Sequence, residues 1–315
     1  MMRLVRSLAF VLTCAAASLD ASTVWIDTDP TIGSPFRDVD DTFALVLAFH
    51  SPELTIAGIS TTYGNASVRA TTEAATELTT RFGAPANLSG RDVFAGAKSA
   101  AELGHNTSAT RALAAALRKH QHMTYLALGP LTNLATVLVL HPELSRRIDR
   151  IIVVGGTLGG RTRPALGPSG RFHIHDANIF KDPEATRVVM RSTIPLLLAP
   201  IENGAPLQMT PTEMSALQTS GPAGKFLARN SRLWSLFWTR VVHTDGGPVF
   251  DALPILAAAR PETVVTMRCE AEVDSLGNLV VSRDLPRSRS RVGVCRPRNA
   301  MAKKMMIDRL RRSPR

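Results

Sequence analysis

Thr23-Val24-Trp25-Ile26-Asp27-Thr28-Asp29-Pro30 opens a pattern that resumes at Asp38-Val39-Asp40-Asp41 and runs on into Phe43-Ala44-Leu45-Val46-Leu47-Ala48-Phe49. The run from Thr23 to Ile26 is apolar and rich in β-formers, so it predicts a strand that delivers Asp27 and Asp29 at its end. Phe43 to Phe49 predicts a helix following the last acids. Carboxylates gathered at the carboxyl end of a first strand stand where open α/β sheets bind ligands. So many acids close together repel one another unless a cation or a shared proton neutralises them. A hard, oxygen-seeking ion such as Ca²⁺ or Mg²⁺ is the natural partner. An Asp-Asp pair before a helix is also ordinary helix-start chemistry, so the cluster gains weight only from the rest of the chain.

That rest alternates. Leu54 to Thr62 is a β-rich run, Val68 to Arg81 has a helical pattern, and a weaker strand is expected near Ala86 to Leu88. Ala109 to Lys119 reads as a helix, Met123 to Leu128 as a buried strand broken by Gly129-Pro130, and Leu131 to Leu140 as a helix. Ile148 to Val154 is a β-branched strand stopped by Gly155-Gly156. Thr157 to His175 reads as a long polar loop, after which Asp182-Pro183-Glu184 opens a helix and Ile194 to Ile201 forms another strand. Pro211 to Ala259 is mostly helical in pattern. Thr263 to Cys295 suggests two or three antiparallel strands with a turn at Leu276-Gly277-Asn278, and a basic helix closes the chain. The alternation implies βαβ units. The fold class is therefore α/β, an open, mostly parallel, Rossmann-like sheet flanked by helices, with a helical and small antiparallel C-terminal portion. No repeat, low-complexity tract or linker interrupts it, so residues 22–315 are read as one domain.

The chain has 315 residues, of which 44% are hydrophobic and 20% charged, enough for a sizeable core. Its net charge of +11 raises the question of nucleic acid. Much of the excess lies in the last quarter, scattered among turns and the terminal helix with almost no aromatic residue to stack on bases, so a solvated basic face is expected and no nucleic-acid partner. Residues 1–21 read as an export signal: two positive charges in Met1 to Arg6, a short apolar run from Leu8 to Ala17, then small residues. The run is too short to span a bilayer. A periplasmic or secreted protein is expected, with no stable membrane insertion after processing; a cytoplasmic one is the alternative. Thr13 before Cys14 makes a poor lipobox. Cys269 and Cys295 would remain, able to pair in an oxidising compartment, and no Cys/His spacing suggests zinc.

Polar groups recur at the expected strand ends: Asp27 and Asp29, Asn65, Gly129-Pro130-Leu131-Thr132-Asn133, Gly155-Gly156 and Glu202-Asn203. In a parallel sheet these ends share one edge. Asp176 and Asn178 end the long loop, and Asp251 starts a late helix. Each has a plain structural explanation as a turn or cap residue; their convergence does not.

Six segments together resemble the inosine-uridine-preferring nucleoside hydrolase family: Asp27-Thr28-Asp29-Pro30 with Asp40-Asp41, Thr61-Thr62-Tyr63-Gly64-Asn65, Gly129-Pro130-Leu131-Thr132-Asn133-Leu134-Ala135, Val153-Val154-Gly155-Gly156, Asp176-Ala177-Asn178-Ile179 with Asp182-Pro183-Glu184-Ala185, and Phe250-Asp251-Ala252-Leu253. The resemblance covers nearly all of the chain after the leader. It implies hydrolysis of the N-glycosidic bond of purine or pyrimidine ribonucleosides with bound Ca²⁺, and a homo-oligomer, dimer or tetramer. Carried over by position, Asp29, Asp41, Asp251 and the carbonyl of Leu128 would hold the ion. Asp29 would also be the general base toward water. Asp40, Asp176, Asn178 and Asp251 would bind ribose, and Asn65 would support the site.

The chain departs from the family pattern at four places. The segment Thr31 to Val39 widens the gap between the acids and adds Asp38, and Asp176 stands where a Glu is usual. Phe250 occupies the usual place of a His that helps the base leave; His173, His175 and His243 are candidate substitutes. The long loop lacks the Gly-Asn that meets the 5′ end of ribose. Trp234 and Trp238, one helical turn apart, are expected either to stack on the base or to form a core-facing stripe. Two rival readings remain. A non-catalytic nucleoside- or ribose-binding protein would keep the fold and the ion. Asp27-Thr28-Asp29-Pro30-Thr31 also fits the DxDxT of haloacid-dehalogenase-like phosphatases, which want a later Lys that this chain lacks in convincing form.

Overall fold

A computed structural model describes residues 21–33, 37–159, 163–283 and 290–312. The expected leader lies outside these. Strand β1 (Ser22–Thr28) is buried from Val24 onward and pairs in parallel with β2 (Leu54–Thr61) on one side and β4 (Met123–Ala127) on the other. β3 (Val93–Ala95) lies beyond β2; β5 (Ile148–Val154) and β9 (Leu196–Ala199) lie beyond β4, all parallel. The chain thus winds outward from β1 first one way and then the other. The crevice between the ends of β1 and β4 is the topological switch point, where such sheets bind ligands.

The antiparallel C-terminal strands are continuous with this sheet. β14 (Ser290–Pro297) lies parallel beside β9, and β12 (Val264–Val273) and β13 (Leu279–Ser282) follow in antiparallel order. β6 (Thr157–Leu158) closes the far edge against β13, giving ten strands in all among the described residues. Two small pairs stand apart: β7 (Ala165–Leu166) with β8 (Phe172–His173), and β10 (Gln208–Met209) with β11 (Gly247–Pro248).

The helices are α1 (Asp40–Phe49), α2 (Val68–Phe82), α3 (Ser108–Lys119), α4 (Thr132–Leu140), α5 (Ala177–Lys181), α6 (Pro183–Arg191), α7 (Ile201–Gly204), α8 (Pro211–Leu217), α9 (Pro222–Asn230), α10 (Arg232–Arg240), α11 (Ala252–Ala259) and α12 (Asn299–Leu310). Every residue of α1 and of α11 is buried, and the two helices pack on each other. Their near-continuous apolar sequences are those of helices enclosed on all sides rather than amphipathic ones. Their first turns carry Asp40, Asp41 and, one residue ahead of α11, Asp251, so core packing fixes where these acids sit. Arg309 on α12 is also buried; it donates to Glu53 Oε1 at 2.7 Å, while its carbonyl lies 2.8 Å from His50 Nδ1, tying the last helix to the end of α1.

Three expectations are corrected. The weak strand at Ala86 to Leu88 is a turn: Pro85 starts a 3₁₀ segment over Ala84–Ala86 and Asn87 is left-handed with φ 57°, so the strand forms later, at β3. The loop from Thr157 to His175 contains β6 and the β7–β8 pair. Cys269 and Cys295 are both free and buried; Cys269 stands opposite Val292 and Cys295 opposite Thr266, too far along the ladder for a disulfide. Among the described residues no helix is long and apolar enough to cross a membrane.

Candidate active site

The acids converge at the switch point. Asp29 leaves the end of β1, and its main-chain N–H donates to Asp41 Oδ1 at 3.1 Å; the hydroxyl of Thr28 donates to the same oxygen. Asn65, after β2, bridges the two acids: its main-chain N–H donates to Asp29 Oδ2 at 2.7 Å and its side-chain amide to Asp41 Oδ2 at 3.0 Å. Asp29 Oδ1 is buried and has no partner. Glycine lets the neighbouring chain approach so closely, because a Cβ at Gly64 would collide with Asp29 Oδ2 and one at Gly129 would lie 3.3 Å from its Cγ.

Asp40, Asp41 and Asp251 form the tightest group, each offering an oxygen within 4.8 Å of the others. This trio differs from the expected ligand set in holding Asp40 where Asp29 was expected. On the far side of the crevice the carbonyl of Leu128 accepts Asn178 Nδ2 at 2.8 Å, and Val154 O accepts the same amide at 3.1 Å. Asp176 caps α5: one oxygen accepts the N–H of Ile179 at 3.2 Å and the other that of Gly156. Beneath the cluster Asp27 Oδ1 accepts Ser60 Oγ at 2.6 Å and Asn133 Nδ2 at 2.9 Å, which locks β1, β2 and the start of α4 together.

Burial dominates the electrostatics. It pushes the carboxyls of Asp29, Asp40 and Asp251 well above the usual range, and neighbouring carboxylates push further: Asp41 on Asp29, Asp38 and Asp41 on Asp40, Asp40 and Asp41 on Asp251. Asp41 is raised by burial against the opposing hydrogen bond from Thr28. Asp27, Asp38 and Asp176 are each pushed up to about 6 by burial. The acids thus raise one another, and among the charges acting on Asp29 only that of Lys181 opposes the shift.

An aromatic cavity of about 630 Å³ adjoins the cluster at Asp38. Trp234 and Trp238 line it and are packed core, as a core-facing stripe would be. Trp234 Nε1 donates to Asp38 Oδ1 at 2.8 Å and its ring lies 5.6 Å from that of Phe43. Trp238 meets Phe172 at 5.7 Å and Phe250 at 6.2 Å, both edge-on. Phe172, Ile174 and Phe237 also face this cavity and were not singled out from the sequence; only the excess of apolar side chains in an otherwise polar loop marks the first two. His175 lines the cavity, whereas His173 and His243 are exposed. A larger cleft of about 850 Å³ between α8, α9 and α10 carries Lys225, Arg229, Arg232 and Arg240 but none of the clustered carboxylates.

A doubly wound sheet with buried carboxylates brought to its switch point from three separate elements is an α/β protein with a ligand site at that crevice. The family model for inosine-uridine preferring nucleoside hydrolase matches residues 24–304, and the chain belongs to that family, the N-ribosyl hydrolases that act on ribonucleosides. It is 28% identical over 286 residues to the pyrimidine-specific ribonucleoside hydrolase RihA of Klebsiella pneumoniae (82% of this chain, 86% of that protein). It is 28% identical over 275 residues to the non-specific ribonucleoside hydrolase RihC of Escherichia coli (81% and 84%). A solved plant nucleoside hydrolase shares the fold with a TM-score of 0.78 at 23% identity, over 93% of this chain and 100% of that one.

Proposed function

We propose that the chain is a Ca²⁺-dependent ribonucleoside hydrolase in which Asp29 is the general base. The observation that carries this is the unpartnered, buried Asp29 Oδ1 beside the trio of Asp40, Asp41 and Asp251. The donor set is all oxygen, as a hard cation requires, and Asp29, Asp41, Asp251 and the Leu128 carbonyl would hold the ion, with Asp40 close enough to join them. Bound there, Ca²⁺ would neutralise the acids and make a nearby water easier to deprotonate.

The chain's own residues supply the rest. Asn65 fixes one oxygen of Asp29, which leaves Oδ1 to take a proton as the water oxygen bonds to C1′. The ribosyl group becomes cationic as the base departs, and the surrounding carboxylates stabilise that charge. Asp40, Asn178 and Asp251 would orient the ribose hydroxyls. Asp176 would join them through its remaining lone pairs, since each of its oxygens already accepts one main-chain N–H.

The test is release of reducing sugar from inosine, adenosine, uridine and p-nitrophenyl riboside, with Ca²⁺ and then with a chelator. Turnover that vanishes with the chelator is expected. Ca²⁺ binding without turnover on any of the four would favour the non-catalytic ribose-binding reading. Base preference is left to the same panel, because the relatives named above differ in it: one is pyrimidine-specific and the other non-specific. Gly64→Ala is expected to lower turnover about 100-fold by displacing the Asp29 carboxylate, since misplacement by about 1 Å has that scale of effect. A variant as active as the parent chain would show that Asp29 is not the base.

A further inference from the structure

Breaking the C1′–N bond leaves its electron pair on the base, and a nucleobase anion departs slowly unless a donor meets it. Phe250, beside Asp251, offers a ring without an N–H or O–H. Among the cavity's other donors, Trp238 is wedged edge-on among Phe172, Phe237 and Phe250. Trp234 already commits its N–H to Asp38, and Arg37 donates to the carbonyl of Asn65. Arg240 stands exposed at the rim, shared with the basic cleft.

Resting on the hydrolase reading, we propose that His175 is the leaving-group residue, its Nε2–H donating a hydrogen bond to the departing base. Three observations carry this. His175 lines the cavity that adjoins the carboxylates. Its ring is held in a stack on Phe180, with centroids 5.0 Å apart and planes 26° from parallel. Its Nδ1 is closed off from solvent with no partner. Nε2 is not closed off in this way, so it is the ring nitrogen able to carry a proton toward a bound base.

The backbone position is equally fixed. His175 directly precedes Asp176, which the N–H groups of Gly156 and Ile179 lock beside Asn178. The other two candidates are placed differently: His173 Nδ1 lies 3.2 Å from Arg163 O on an exposed side chain, and His243 sits exposed at φ 62°. Burial and the nearby Arg163 hold the His175 imidazole below its ordinary pKa, so the neutral ring is the working form. The role is accordingly a hydrogen bond rather than full proton transfer. The C1′–N pair goes to the base, the water oxygen bonds C1′, the water's proton passes to Asp29, and the base anion, held by His175, takes a proton from solvent as it leaves.

The experiment compares inosine, whose base needs a donor, with p-nitrophenyl riboside, whose nitrophenolate leaves without one. His175→Ala is expected to lower kcat on inosine about 100-fold and to change p-nitrophenyl riboside turnover by less than about threefold. His175→Gln, which keeps a side-chain N–H at similar reach, is expected to recover part of the loss, and the melting midpoints of both variants check that the Phe180 stack is not required for folding. Equal losses on both substrates, or none on inosine, would overturn the proposal. Should the unaltered chain cleave only p-nitrophenyl riboside, the hydrolase reading stands and the role of His175 falls. Should it cleave neither, both fall.

Discussion

Asp29→Asn lowers ribonucleoside turnover by about 1000-fold or more while leaving the thermal midpoint unchanged or raised in the absence of Ca²⁺. The loss is chemical. Asn keeps a carbonyl oxygen that can still accept the Asn65 N–H, but its amide nitrogen then occupies the place of Oδ1, where a lone pair is needed to take the water's proton. General-base removal alone accounts for about 10² to 10⁴. Stability is spared because the substitution removes one charge from a group whose members raise each other's pKa values. Measured kcat on inosine and uridine, with calorimetry of the same samples, checks both halves. A loss below about tenfold would move the base to another residue.

The second large effect is a reversal of sign in the pH dependence of stability. Asp29, Asp40, Asp41 and Asp251 are all raised in the folded chain, chiefly by burial. Without a cation the folded state therefore keeps protons that the unfolded state, titrating near 4, has already released. Where the native state binds more protons, stability falls as pH rises. The metal-free chain should be more stable near pH 5 than near pH 8: the loss sets in above about pH 4, where the unfolded acids ionise, Asp38 completes its share near 6, and the acids pushed higher extend the loss beyond that. Ca²⁺ favours the ionised acids and so abolishes or inverts this slope. At about 1000 times its dissociation constant it would add about 4 kcal/mol, or roughly 5 °C or more in a domain of this size. Melting midpoints across that pH range, with chelator and with excess Ca²⁺, test it. A chelated protein that grows more stable from pH 5 to pH 8 would contradict the assignment of a buried, uncompensated cluster.

Much of the site was legible because its residues sit at element ends that sequence periodicity marks well. The strand before Asp27, the helix after Asp41 and the apolar run after Asp251 each announce themselves locally, and convergence at one edge follows from the parallel sheet. Contacts fixed only by tertiary packing were not legible. Trp234 and Asp38 are 196 residues apart, and no spacing rule joins them. The pairing of Thr157 with Val280 involves a strand of two residues, too short to show a period, so the long loop hid a sheet edge. Val93–Ala95 was displaced in the reading because three residues carry little propensity against the turn chemistry of Pro85 and Asn87.

The placement of β14 beside β9 bears on how the chain comes to be made. During synthesis Leu196–Ala199 is completed and docked on β5 long before its other neighbour exists, since that neighbour begins at Ser290. Through that interval the nascent sheet presents a raw leucine-rich margin, Leu196-Leu197-Leu198, with unpaired main-chain groups open to any passing strand. The ribosome must finish most of the protein before its central sheet is sealed. A premature stop before Ser290 would yield no smaller, quieter protein, only an adhesive one.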